Sequence, residues 1–153
     1  MESNVKIISP EELIPPLLSL LEEAESVPLV ISGYSMTPFL VHCRDTVYLS
    51  KIRQPLKRGD MVLYQRDSGN YVLHRIYRSD SSTYTMVGDA QTLLERGIRH
   101  DQMLALVTAV HRKGKLLKPG TFWWVFFQRV WIRMVPLRPV VLKVYSGVNR
   151  LFR

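Results

Sequence analysis

From Val27 to His111 the chain alternates short runs of β-branched and aromatic residues with compact turn signals, a pattern that commits the middle of the protein to sheet. The runs fall at 27–31, 46–49, 61–64, 71–77, 84–87 and 104–111, separated by Arg58-Gly59-Asp60, Asp67-Ser68-Gly69-Asn70 and Ser79 to Ser82. The Asp67-to-Asn70 turn joins two such runs and predicts a hairpin. Ahead of them, Ser9-Pro10-Glu11-Glu12 reads as a capping box with proline at the first helical position. It opens an amphipathic helix to about residue 26, with Leu13, Leu17, Leu20 and Leu21 as its stripe and Pro15 and Pro16 bending its early turns. The expected architecture is mainly β with helical ends: an N-terminal helix over 1–26, a core over 27–112 and a tail over 113–153. Lys113-Gly114-Lys115 to Pro119-Gly120 reads as the linker into that tail.

Several classes of chemistry have no foothold. One cysteine, Cys43, excludes an internal disulfide and a cysteine-based metal cluster, and it fits a reducing compartment. His42 beside it suggests a thiol nucleophile, but neighbours on a strand face opposite ways, so a structural role is expected. His42, His74, His100 and His111 lack the close spacing of a zinc site, and no glycine-rich phosphate loop exists; no metal and no cofactor are expected. The first residues lack a basic, then apolar, secretory signal, and no run suffices to span a bilayer, which points to a cytoplasmic or peripheral-membrane protein.

Charge is divided unevenly. The stated net of +8 separates into +10 from His111 to Arg153, where no Asp or Glu occurs, and −2 in the rest. That tail is also aromatic. Read as a helix, it puts Trp124, Phe127, Trp131 and Val135 along one face and Arg129 and Arg133 on another. Residues 121–135 therefore suit peripheral contact with an anionic membrane, or docking of the aromatics on the body or on a partner subunit. Single-stranded nucleic acid ranks below both, since no nucleic-acid-binding signature accompanies the basic residues, and none is expected as a partner.

The densest chemical signal is Ser32-Gly33-Tyr34-Ser35-Met36-Thr37-Pro38, which follows the first β run. A hydroxyl one residue past a glycine-led bend projects from the backbone, beside amides suited to a developing oxyanion. A plain tight turn uses the same residues. Val72, His74 and Ile76 share one face of a strand, where partial burial would keep His74 neutral near pH 7, as a general base must be. Asp89 and Glu95 follow, two carboxylates able to hold its other ring nitrogen. Asp89 also suits an Asx bond capping the Gly88 turn.

Ser35-Met36-Thr37-Pro38, Arg58-Gly59-Asp60-Met61-Val62, His74-Arg75-Ile76, Gly88-Asp89 and Glu95-Arg96, in that order, resemble the superfamily of signal peptidases and self-cleaving repressors. The resemblance covers roughly residues 28 to 112 and implies a β-clip or β-ribbon catalytic core. It implies Ser35 as nucleophile and His74 as general base, as in the Ser-His branch of endoplasmic-reticulum, archaeal and some Gram-positive signal peptidases, with Asp89 and Glu95 supporting the histidine. Two departures stand out. Leu94-Glu95-Arg96 replaces that branch's Asp-Asp-Arg, and Gly33 occupies the place where many signal peptidases carry an oxyanion-hole serine, leaving Ser32 or backbone to substitute. Met36 and Pro38 are expected to shape the bend and the cleft floor. Where such enzymes carry a spanning anchor, this chain has its amphipathic helix. The implied activity is endoproteolysis of a signal, leader or precursor peptide lying extended along a strand edge. The alternative is a peptide-binding or regulatory module on the same scaffold with little or no turnover.

Overall fold

The computed structural model describes residues 8–151. Helix α1 (Pro10–Leu20) leads into β1 (Val27–Val30), β2 (Thr46–Ser50), β3 (Met61–Gln65), β4 (Tyr71–Ser79), β5 (Thr83–Val87), β6 (Glu95–Arg99), β7 (Met103–Arg112) and β8 (Lys115–Leu117). All ladders are antiparallel, in the order β1-β2-β7-β3-β4-β5-β6, with β8 folded back on β7. The tail forms one irregular helical path: α2 (Phe122–Val125), a π-helical segment to Val130, two short 3₁₀ turns, and α3 (Arg138–Leu151).

The six predicted runs are all strands, and the Asp67–Asn70 hairpin sets the β3–β4 register, with Gln65 opposite Tyr71 and Tyr64 opposite Val72. Gly69 takes a φ of 91°, which explains a glycine there. Strands β6 and β8 were not foreseen. Glu-Arg-Gly-Ile-Arg has little β character, and pairing with β5 rather than local propensity makes it a strand. The residues read as a linker instead turn at Lys113-Gly114 and return along β7.

Strand β3 is buried on both faces, and its side chains divide between two clusters. Met61 and Leu63 join Val47, Leu49, Ala105 and Val107 in the larger core, while Val62 and Tyr64 join Ile76, Met86 and Ile98 in the other. The helix and the tail both belong to the larger core. Helix α1 supplies Ile14 and Leu17, joined by Leu21 at its C-cap, whereas Leu13 and Leu20 of the expected stripe are exposed. It also stops earlier than expected, tightening into i→i−3 bonds at Glu22 and Glu23. Three glutamates, Glu22, Glu23 and Glu25, follow the helix where its dipole is negative, and the helix's own last turn holds no basic residue; Lys51, from beyond β2, pairs with Glu22 at 2.7 Å.

In the tail, Trp124, Phe127, Trp131 and Val135 are all buried against the body. Burying each large apolar side chain stabilises the docked form by about 1.5–3 kcal/mol, so this face belongs to the core and is not available to lie in a membrane. No helix among the described residues is long and apolar enough to cross a bilayer.

Candidate active site

A cleft of about 270 Å³ opens between the loop after β1 and the start of β4, and Ser32, Gly33, Ser35, Met36, Arg66 and His74 line it. Ser35 and His74, distant in sequence, thus share one groove. Gly33 adopts a φ of 94°, so a side chain at this position would be strained whatever the space around it. The backbone N–H groups of Ser35 and Met36 make no backbone hydrogen bond among the described residues, whereas the next amide, Thr37, closes a turn onto Tyr34. Met36 is buried and lines the cleft. Pro38 does not line the cleft: it lies on a separate groove with Trp123 and Phe127.

His74 is 3% exposed, and its Nδ1 lies 3.2 Å from the Tyr64 hydroxyl. That hydroxyl donates its proton to Glu95 Oε2 at 2.9 Å, and Glu95 is held from the other side by Arg66 at 2.9 and 2.8 Å. A phenol has one proton. Having given it to the carboxylate, Tyr64 can only accept from His74, which places the imidazole proton on Nδ1 and leaves Nε2 as the basic lone pair. Burial pushes the imidazole down to about 4, Glu95 pulling the other way and Arg66 adding a smaller push, so His74 is neutral at pH 7. Burial, with Glu95 alongside, raises the Tyr64 phenol far above its ordinary range. Burial also works against the Glu95 carboxylate, but Arg66 and Tyr64 together hold it below its usual value. No hydrogen bond joins Ser35 Oγ to His74 among the described residues.

The two expected acids therefore part company. Glu95 reaches His74 through Tyr64. Asp89 instead accepts from Arg75 Nε at 2.8 Å, both side chains being almost fully buried, and the described hydrogen bonds include none from Asp89 to His74. The reason is register: Val87 opposes Arg75, which sends Asp89, two residues further on, to the Arg75 side of β4. Desolvation pushes the Asp89 carboxyl up while Arg75 and then Arg138 pull it back. Nor does an Asx bond from Asp89 cap the Gly88 turn; Gln91 Oε1 accepts from Gly88 N–H there.

Asp89 nevertheless bears on the cleft through its loop. Ala90 N–H donates to the Ser35 carbonyl, and a Cβ at Gly88 would meet that same oxygen at 2.5 Å. The tail clamps this loop: Trp131 Nε1 donates to the Asp89 carbonyl, and Arg138, fully buried, donates to the carbonyls of Gly88, Gln91 and Trp131.

The sequence reading does not single out Tyr64 or Arg66, and it weighs His42 only beside Cys43 and as a metal ligand, not for its hold on the Gly33 bend. The first had a legible signal, because a hairpin at Asp67–Asn70 makes Tyr64 the diagonal same-face neighbour of His74. His42 accepts from Gly33 N–H at Nδ1, 2.9 Å away, bracing the bend that carries Ser35. The expectation that His42 and Cys43 point apart fails, since they sit in a turn with Cys43 at φ 56° and Sγ lies 3.1 Å from His42 Nε2. Among the described residues no group of three or more His, Cys, Asp or Glu is arranged to hold a metal ion. No protein-family model, no curated protein and no solved structure matches this chain.

Proposed function

We propose that this protein is a serine endopeptidase of the signal-peptidase type, using Ser35 as nucleophile and His74 as general base to cleave a signal, leader or precursor peptide. The observation that carries the reading is the convergence of Ser35 and a neutral, Nδ1-protonated His74 on one cleft. His74 Nε2 takes the Ser35 proton as Oγ bonds to the scissile carbonyl carbon. The uncommitted amides of Ser35 and Met36 stabilise the oxyanion in place of the side chain that Gly33 lacks. His74 returns the proton to the departing amine, and water, activated by the same nitrogen, releases the acyl group.

The groove suits an extended chain. Among the described residues, strand β1 pairs only with β2 and residues 71–74 of β4 pair only with β3, so both sides of the cleft offer strand edges that no described strand covers. An apolar pocket of about 110 Å³, walled by Ile14, Leu29, Leu63 and Leu73, adjoins it and would take a small apolar side chain. On the opposite side Arg66 and Gln91 lead into an open basin beside Leu93 and Glu95.

Purified protein, Ser35→Ala and His74→Gln are to be compared on signal-peptide and leader-peptide substrates. Cleavage that is lost in both variants supports the assignment, and unchanged cleavage in either removes it. A second reading, a peptide-binding module, is favoured by the missing Ser35–His74 hydrogen bond. A serine-directed acylating probe separates the two, because modification specific to Ser35 is expected of the peptidase alone.

A further inference from the structure

With Trp124, Phe127 and Trp131 committed to the core, the tail still presents a second apolar surface. Leu137, at the end of the preceding 3₁₀ turn, and Val140, Val144, Val148 and Leu151 of α3 recur at helical spacing and are 57, 66, 62, 44 and 83% exposed. Beside this stripe Val141 and Tyr145 meet Trp123 and Phe126 across a groove of about 370 Å³, with Arg112 and Lys113 on its wall. A helix of this kind normally buries such a stripe, and contiguous exposed apolar surface marks an interaction site.

Charge selects the occupant. Lys143 and Arg150 lie together along one flank of the stripe, and the chain from His111 onward has no acidic residue. A second copy of the same face would set these cations against their own kind. An anionic lipid surface meets both demands, offering phosphates to the basic flank and an acyl boundary to the stripe. We infer that α3 docks this protein flat on the headgroup region of an anionic bilayer, with Trp123 and Phe126 extending the buried edge. The helix contains 14 residues, about 21 Å of length at the usual rise, which suits an in-plane helix. This surface replaces the 121–135 face suggested by the sequence, and it does not depend on the chemistry of the cleft.

The test is flotation of the full chain with vesicles of phosphatidylcholine alone or mixed with phosphatidylglycerol. Binding is expected only to the anionic vesicles at low salt, falling several-fold at about 1 M salt, where screening acts within about 3 Å. Val144→Asp combined with Val148→Asp is expected to weaken binding about tenfold or more at an unchanged melting temperature, since both side chains are exposed. Lys143→Gln with Arg150→Gln should remove much of the salt dependence. Absence of flotation, or flotation indifferent to the Val144 and Val148 changes, overturns the inference. So does a concentration-dependent dimer that those changes dissolve without any vesicle binding, which would assign the face to a second copy.

Discussion

His74 and Arg75 are consecutive residues of β4, and each anchors a polar centre, yet the two centres have opposite characters. His74 faces the cleft through a chain in which every proton has a place: the imidazole donates to the phenol, the phenol to the Glu95 carboxylate, and Arg66 donates to that carboxylate from the other side. Arg75 faces the core, stacked 5.0 Å over the Phe39 ring and paired with a carboxylate that no solvent reaches. One centre leaves a lone pair toward a groove. The other joins two side chains that are 1% and 0% exposed, with Arg75 also donating to the Gly59 carbonyl, so it ties the Gly88–Asp89 loop and the turn before β3 to β4. Strand alternation alone separates them, so neighbours in sequence serve different purposes.

The difference can be broken experimentally at its largest effect first. On the proposed peptidase reading, with His74 as general base, His74→Gln is expected to lower peptide cleavage by about 10⁴-fold or more while the protein stays folded. Arg75→Ala should do the reverse, costing about 3–5 kcal/mol in denaturant unfolding because the buried Asp89 carboxylate loses its hydrogen-bonded counter-charge and keeps only the weaker pull of Arg138. If Arg75→Met with Asp89→Leu is no more stable than Arg75→Ala, the account of a charge stranded by the single change is wrong.

Next comes pH. Folded His74 binds its proton near pH 4 and the unfolded chain near 6.5, so between those values the unfolded state holds more protons and stability drops as pH falls. The loss across that window is up to about 3 kcal/mol, and His74→Leu should flatten the slope in melts recorded from neutral to acid pH. Acylation of Ser35 should fall to half near pH 4 in the same series. A midpoint near 6.5 would mean that the ring is not buried as described.

The smallest effects test the connection. Tyr64→Phe removes the hydrogen-bond partner that fixes the His74 tautomer and is expected to reduce Ser35 acylation about ten- to a hundredfold with little change in melting. Glu95→Gln removes a charge that raises the His74 pKa, so its acid limb should move lower still; movement upward would contradict the electrostatic order described for this site.

Local pattern was enough for most of the sheet, because β-branched runs and glycine turns act over a few residues; β6 and β8 escaped, being strands by partnership alone. The same limit divides the site. Ser35 and His74 were legible as a hydroxyl on a glycine bend and an imidazole on an apolar strand face, each recognisable within its own segment. Which carboxylate serves the histidine was not, since Asp89 and Glu95 are both acids at plausible distance in sequence. Only the β4–β5 register turns Asp89 toward Arg75, and only the β3–β4 hairpin sets Tyr64 between His74 and Glu95. The tail makes the point once more. Its charge and aromatic content were plain in the chain, but whether Trp131 and Arg138 meet lipid or clamp the Gly88–Gln91 loop was decided by packing. Composition sets what a segment can bury, and the partners that complete each hydrogen bond come from parts of the chain that only folding brings near.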